Sequence, residues 1–142
     1  RRGRRRALSG IGVVINPKIV AGQVHGATAH GIGAAMMEAY IYDKEANLLT
    51  STFTDYTPIT VMNMPDLAYG DIETPSPFSY NGAKGMGEGG GAPLHTICAA
   101  IQDALFDKGV VVRNTFNPPS DIYRLLKNPN WAECVKVERR AA

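Results

Sequence analysis

One stretch of the chain combines residue types that could do chemistry. The ten residues from Gly82 to Gly91 include six glycines and only two charged side chains, Lys84 and Glu88. A carboxylate among glycines in front of a helix is either a helix cap or a positioned acid–base group. Desolvation in a glycine-lined pocket would raise the proton affinity of the carboxylate, which suits a general base. The residues alone leave both roles of Glu88 open.

A glycine-rich loop in front of a helix can also bind phosphate through its backbone amides. The spacing from Gly85 to Gly90 does not match the GxxxxGK[ST] pattern of a P-loop. The loop follows a proline-rich connection and places Glu88 where it would repel a phosphate. A phosphate or dinucleotide site is therefore disfavoured.

The histidines and cysteines do not form a metal-ligand pattern. His25 and His30 are five residues apart and would point to different faces of one helix, while His95 is isolated. Cys98 and Cys134 form no CxxC pair. We predict no metal site made of protein side chains, and a reduced, cytoplasmic setting.

The elements before the loop begin with a predicted strand over Ile11–Ile15. A helix should follow, with Asn16 as its cap, Pro17 in its first turn and its end near Tyr40. Each glycine costs a helix about 1 kcal/mol relative to alanine, so we expect the close approach of another backbone or a ligand. The glycines of this helix are Gly22, Gly26, Gly31 and Gly33.

A hairpin is predicted in the middle of the chain. Ile41 and Tyr42 begin one strand, 43–47 form a polar turn, and Leu48–Phe53 return. Four prolines restrict the following connection, Tyr56–Pro77, to one short strand around Asp71–Glu73.

Behind the glycine-rich loop, apolar spacing predicts an amphipathic helix with Pro93 in its first turn. A strand over Val110–Val112 and a last helix over about Pro119–Leu126 should follow. Together the elements predict an α+β fold whose helices pack on a small mixed, largely antiparallel sheet.

Composition places the chain among globular proteins, with 142 residues, 44% of them apolar and 20% charged. Five of the first six residues are arginines without interleaved aromatic residues, which favours a solvated tail over a nucleic-acid arm. The stretch Ile19–Met37 is too polar for a membrane span. We predict a basic tail over 1–10, disordered or non-native, a domain over 11–127 and a carboxy-terminal tail over 128–142.

Three segments, in order, resemble motifs of the xanthine dehydrogenase and aldehyde oxidase family of molybdenum hydroxylases. Val14–Pro17 with Gly22–Gly26 is similar to INP…GQxxG, and Asp55–Pro58 is similar to DYxxP. Asn81–Gly90, followed by Ala92 and Pro93, is similar to the GAKGxGE segment. The resemblance covers about residues 13–126 and implies the fold of the carboxy-terminal molybdopterin-binding domain of the large subunit.

The resemblance also implies the roles of individual residues. Glu88 would be the catalytic base, and water would be the source of the inserted oxygen. Gln23 would hydrogen-bond the pterin, and Gly85, Met86 and Gly87 would line the cofactor site. The implied cofactor is the cytosine dinucleotide form of molybdopterin, without a direct protein ligand to molybdenum.

The family's large subunit is several times longer than this chain. The resemblance therefore implies a fragment of a molybdenum hydroxylase, which oxidises an aldehyde or an N-heterocycle, and which is inactive alone. Its partners would be the missing portion of the large subunit and the iron–sulfur and flavin subunits. The alternative is a free-standing homo-oligomer without molybdenum that acts as an interaction or small-ligand module. Nucleic-acid binding through the arginines is a weaker third hypothesis, and no membrane partner is expected.

Overall fold

The computed structural model describes residues 5–87, 89 and 91–129. The elements in these ranges are β1 (Arg5–Ile11), α1 (Pro17–Met36), β2 (Leu67–Glu73), α2 (Gly91–Ala104), a 3₁₀ turn (Phe106–Lys108) and α3 (Pro119–Lys127). No helix in the described part of the chain has both the length and the apolar character that crossing a membrane requires.

The two strands form a parallel sheet. Arg5 lies opposite Leu67 and Ile11 opposite Glu73. The α+β class is confirmed, but the prediction of a largely antiparallel sheet was wrong. The chain returns to β1 only after α1 and a long connection, and such a crossover allows parallel pairing.

Regular structure begins earlier than the sequence indicated. β1 includes Arg5 and Arg6, within the segment expected to be a tail, and it ends at Ile11, where the predicted strand was to begin. Its backbone pairs with β2, and the Ile11 carbonyl accepts a further bond from the Thr74 amide at 2.6 Å. Residues 1–4 and 130–142 of the two predicted tails lie outside the described residues.

Helix α1 starts as predicted. The Asn16 side chain accepts hydrogen bonds from the amides of Lys18 at 3.1 Å and Ile19 at 3.3 Å, with Pro17 in the first turn. The helix ends at Met36, four residues before the predicted end. There the amides of Met37 and Glu38 both donate to the Gly33 carbonyl, which satisfies this carbonyl at the end of the helix.

Helix α1 packs against α2. The two halves of α1 differ in how many of their residues are buried. The second half contains Ile32 and Ala35 of the core, whereas Ile19 in the first half is 62% exposed. The described core is small and consists of Ile11, Val24, Ile32, Ala35, Val110 and Leu125. Most buried residues of α1 therefore lie in its carboxy-terminal half, whereas the amino-terminal half is largely exposed apart from Val24.

The predicted hairpin is a chain reversal with one antiparallel bridge, between Tyr42 and Leu48, instead of two strands. The Asp43 carboxylate holds the turn by accepting from the amides of Glu45 and Asn47 at 2.9 and 2.8 Å and from the Asn47 side chain at 2.9 Å. The position of the turn is thus confirmed. Hydrogen bonds to one aspartate side chain hold the turn in place of the backbone hydrogen bonds that a longer pair of strands would have made.

The predicted strand over Val110–Val112 was wrong. The side chain of Gln102, on α2, donates to the Val110 carbonyl at 2.8 Å and accepts from the Val112 amide at 2.6 Å. It therefore takes the place of a neighbouring strand for this segment, whose Val110 is fully buried. The last helix, α3, is confirmed within one residue of its predicted end.

We expect Gln102→Met to lower the free energy of unfolding by about 1–3 kcal/mol, because it leaves two backbone groups beside Val110 without partners. Urea unfolding followed by circular dichroism measures this. The control Asp103→Asn changes an exposed neighbour on the same helix and should stay within about 0.5 kcal/mol of the parent. Equal unfolding midpoints for Gln102→Met and the parent would refute the assigned role.

Candidate functional site

The glycine-rich segment is anchored where both strands end. The Gly82 carbonyl accepts hydrogen bonds from the amides of Val13 at 3.1 Å and Ser76 at 2.9 Å. Gly82 is buried and has a φ of +73°, a conformation that glycine adopts without a steric penalty. The segment therefore starts from a backbone position shared by the exits of β1 and β2.

Gly12 makes this junction possible. A Cβ built at Gly12 would lie 2.5 Å from both the Gly82 oxygen and the Lys84 nitrogen. These neighbours are backbone atoms, which cannot rotate away as a side chain could. Only glycine therefore fits between β1 and the start of the loop.

Two side-chain hydrogen bonds stabilise the same junction. The Thr74 hydroxyl donates to the Ile11 carbonyl at 3.0 Å and accepts from the Lys84 ammonium at 2.9 Å. Lys84 thus contacts the residue that follows β2. We refer to Gly12, Thr74, Gly82 and Lys84 as the clasp.

Beyond the clasp the loop is open. A Cβ at Gly85 or Gly87 would meet no atom within 4 Å, and both glycines are exposed, while Met86 is half-buried. Gly89 approaches α1, because a Cβ there would lie 3.0 Å from the Ala27 Cβ. Glu88, the predicted catalytic base, lies outside the described residues.

Gln23 lies on the exposed half of α1. It precedes Ala27 by four residues, so the two side chains share one face of the helix about 6 Å apart along its axis. The structure therefore brings Gln23 and the end of the glycine loop to the same face. The close approach expected at Gly22 and Gly26 is not seen, because a Cβ at either would meet nothing within 4 Å.

A carboxylate that the sequence analysis did not single out connects the end of α1 to the DYxxP segment. Glu38 accepts from the Tyr56 hydroxyl at 2.7 Å and from the Ile59 amide at 3.3 Å, and its side chain lies against Gly33. The hydrogen bond to Glu38, with desolvation, raises the pKa of Tyr56 from 10.0 to about 12. Tyr40 packs on the Tyr56 ring at 5.1 Å between centroids.

The glutamate could have been noticed from its position. Glu38 is the only acidic residue between Ile11 and Tyr42 in a segment otherwise free of carboxylates. The contact itself spans 18 residues of sequence, so spacing gave no signal for it. Its geometry gives Tyr56 a structural role, because the tyrosine hydroxyl holds the carboxylate at the end of α1.

The described residues include no group of three or more His, Cys, Asp or Glu side chains that could hold a metal ion. His25, His30 and His95 are each exposed and lie apart in the elements already described.

Comparisons with known proteins agree with the motifs. The family model for the molybdopterin cofactor-binding domain matches residues 4–65. The chain is 40% identical over 118 residues to the nicotine 6-hydroxylase large subunit of Paenarthrobacter nicotinovorans, and 35% identical over 129 residues to the carbon monoxide dehydrogenase large chain of Hydrogenophaga pseudoflava. Quinoline 2-oxidoreductase from Pseudomonas putida 86 superimposes on 87% of the chain with a TM-score of 0.81 and 38% identity.

The fold and motifs are those of a molybdopterin-binding protein. The chain belongs to the xanthine dehydrogenase and aldehyde oxidase family of molybdenum hydroxylases and corresponds to part of the large subunit. The matches cover 82% and 89% of this chain but only 14% and 16% of the two relatives, and 16% of the quinoline enzyme's chain.

We expect Tyr56→Phe to cost about 1 kcal/mol of stability, because Glu38 loses its hydroxyl donor. The folded-state pKa of about 12 lies above the ordinary 10.0, so the contribution is complete below pH 10 and disappears as the pH rises through 12. Denaturant unfolding at several pH values measures the difference between the parent and the variant. The control Tyr42→Phe alters an exposed tyrosine and should show no pH-dependent difference. A Tyr56→Phe difference that grew above pH 10 would contradict the assignment.

Proposed function

We propose that this chain forms one wall of the cofactor and substrate site in a molybdenum hydroxylase large subunit, and that it supplies the base Glu88. The observation that carries the proposal is the approach of Gly89 to Ala27, one turn from Gln23. Two of the family-like segments, far apart in sequence, thereby share one face of α1. The reaction would be oxidative hydroxylation of an aldehyde or an N-heterocycle with water as the oxygen source.

The described residues suit a pterin cofactor. Gln23 offers an exposed carboxamide that can both donate and accept hydrogen bonds, as recognition of a pterin edge requires. Gly22, Gly26, Gly85 and Gly87 leave open space where side chains would stand. When bound, the molybdenum–pterin cofactor supplies the two-electron redox chemistry that hydroxylation needs.

The chain's own residues would hold the cofactor and move a proton. Gln23 binds the pterin by hydrogen bonds, and the backbone of Gly85, Met86 and Gly87 lines the site. Glu88 accepts a proton from the oxygen nucleophile, and enclosure by the remainder of the subunit would raise its proton affinity toward neutral pH. A glycine-rich backbone lets a ligand approach more closely than side chains would allow.

The remaining assignments follow from the family resemblance. We propose the cytosine dinucleotide form of the cofactor, a cytoplasmic location, and assembly with the rest of the large subunit and with iron–sulfur and flavin subunits. Activity would require these parts, because catalysis needs groups held in register around the cofactor. The domain would comprise residues 11–127 together with the arginine-containing strand β1.

Exposed apolar side chains favour one alternative, self-association of a free-standing domain. Met62 is 88% exposed, and Phe78 and Tyr80 are fully exposed. Large apolar surface of this kind usually has a partner. Molybdenum and pterin content together with mass in solution separate the two functions. A metal-free oligomer of this chain would favour the interaction or small-ligand module over the hydroxylase.

We expect Glu88→Gln, in the assembled hydroxylase, to lower kcat/KM by about 100- to 10,000-fold, because the base can no longer accept a proton. Molybdenum and pterin content should not change. The matched control Glu45→Gln removes a carboxylate from the exposed turn and should leave turnover at the parent level. A fully active Glu88→Gln enzyme with normal cofactor content would sink the proposed role.

We expect Gln23→Leu to reduce pterin occupancy in the assembled enzyme by about 5- to 10-fold, the loss of one or two hydrogen bonds. Fluorescence of the oxidised pterin after release, per mole of protein, measures the occupancy. His25→Gln, two residues along the same exposed half of α1 and on another face, should retain the parent occupancy. Equal pterin content in the two variants would exclude a contact between Gln23 and the cofactor.

A further inference from the structure

We propose that Thr74 and Lys84 are positioning residues for the catalytic loop, which rests on the function proposed above for Glu88. The Thr74 hydroxyl joins the Ile11 carbonyl at 3.0 Å to the Lys84 ammonium at 2.9 Å. These two hydrogen bonds thereby connect the start of the loop to the ends of both strands. Neither residue contacts the reacting groups in this role.

Two of the loop residues before Glu88 are glycines and bring no side chain that could anchor the segment. Gly85 and Gly87 have no neighbouring atom within 4 Å of a Cβ position, and glycine has the widest backbone freedom of any residue. Contacts at the two ends of the segment therefore help to set its course. At one end Gly89 lies against Ala27, and at the other end the clasp holds Gly82 and Lys84.

The clasp restricts both the position of the loop's first residue and the direction in which the backbone leaves it. The Gly82 carbonyl accepts hydrogen bonds from the amides of Val13 and Ser76, and the backbone at Gly12 lies too close to Gly82 and Lys84 for a side chain to fit between them. The hydrogen bond from the Lys84 ammonium to the Thr74 hydroxyl then holds Lys84, two residues after Gly82, in place. Lys84 is only four positions before Glu88, so a shift at the clasp is carried to the base.

Two substitutions at Thr74 separate positioning from a general effect on folding. Thr74→Val keeps the branched shape and the hydrogen bond from the backbone amide of residue 74 to the Ile11 carbonyl, but it removes the hydroxyl. Thr74→Ser retains the hydroxyl. In this 142-residue chain, we expect Thr74→Val to speed hydrogen exchange of the Val13, Ser76 and Gly82 amides about tenfold. Thr74→Ser should exchange within about twofold of the parent.

In the assembled hydroxylase, we expect Thr74→Val to lower kcat about tenfold with KM within about twofold, because a misplaced base slows chemistry more than binding. Thr74→Ser should recover kcat. Lys84→Met should lower kcat in the same direction, and its matched control Lys44→Met, in the exposed turn, should not.

The outcomes decide the proposal. Faster exchange and lower kcat in Thr74→Val, both reversed in Thr74→Ser, support it. Equal behaviour of the valine and serine variants, or of Lys84→Met and Lys44→Met, overturns it. If the assembled parent protein shows no hydroxylase activity, the proposed function fails, and amide exchange alone still decides whether the Thr74 hydroxyl holds the clasp.

Discussion

Two stretches of backbone meet at Gly12 and Gly82 with no space for a side chain between them. The contact brings together the exit of β1, the segment after β2 and the start of the glycine-rich loop. Hydrogen bonds from Val13 and Ser76 to a single carbonyl satisfy the backbone groups that this closeness buries. Because Gly12 and Gly82 are 70 residues apart in sequence (82 − 12), the position of the loop depends on the parallel pairing of the strands. The candidate catalytic segment is thus positioned by backbone geometry more than by the small hydrophobic core.

Helix α1 serves two purposes along its length. Its second half buries Ile32 and Ala35, while its first half keeps Gln23 and two open glycines on the surface. Glycines weaken a helix, and burial does not compensate for Gly22 or Gly26 within this chain. A ligand lying on that face, or another part of the large subunit, would supply the compensation. The division of the helix therefore agrees with a role as one wall of a larger site.

Side chains replace regular pairing in several places. Gln102 bonds a segment that would otherwise need a neighbouring strand, Asp43 holds a turn, and Glu38 connects the end of α1 to Tyr56. Large apolar side chains such as Phe78 remain exposed. The chain spans only 14–16% of its curated relatives. Apolar surface is what a segment of a much larger subunit would present to its surroundings.

Local chemistry in the sequence determined where the helices begin and which family the chain belongs to. Asn16 with Pro17, and Pro93 and Pro119, act on residues within one turn, and the Gly82–Gly91 pattern can be recognised without coordinates. Only the tertiary structure decided that β1 includes Arg5 and Arg6 and pairs in parallel with β2, and that Val110–Val112 is held by Gln102. It also decided that Gly89 approaches the face of α1 that carries Gln23. Those features depend on contacts between distant residues, whose partners no local preference specifies. Caps and turns follow from neighbours along the chain, whereas pairing and site assembly follow from neighbours in space.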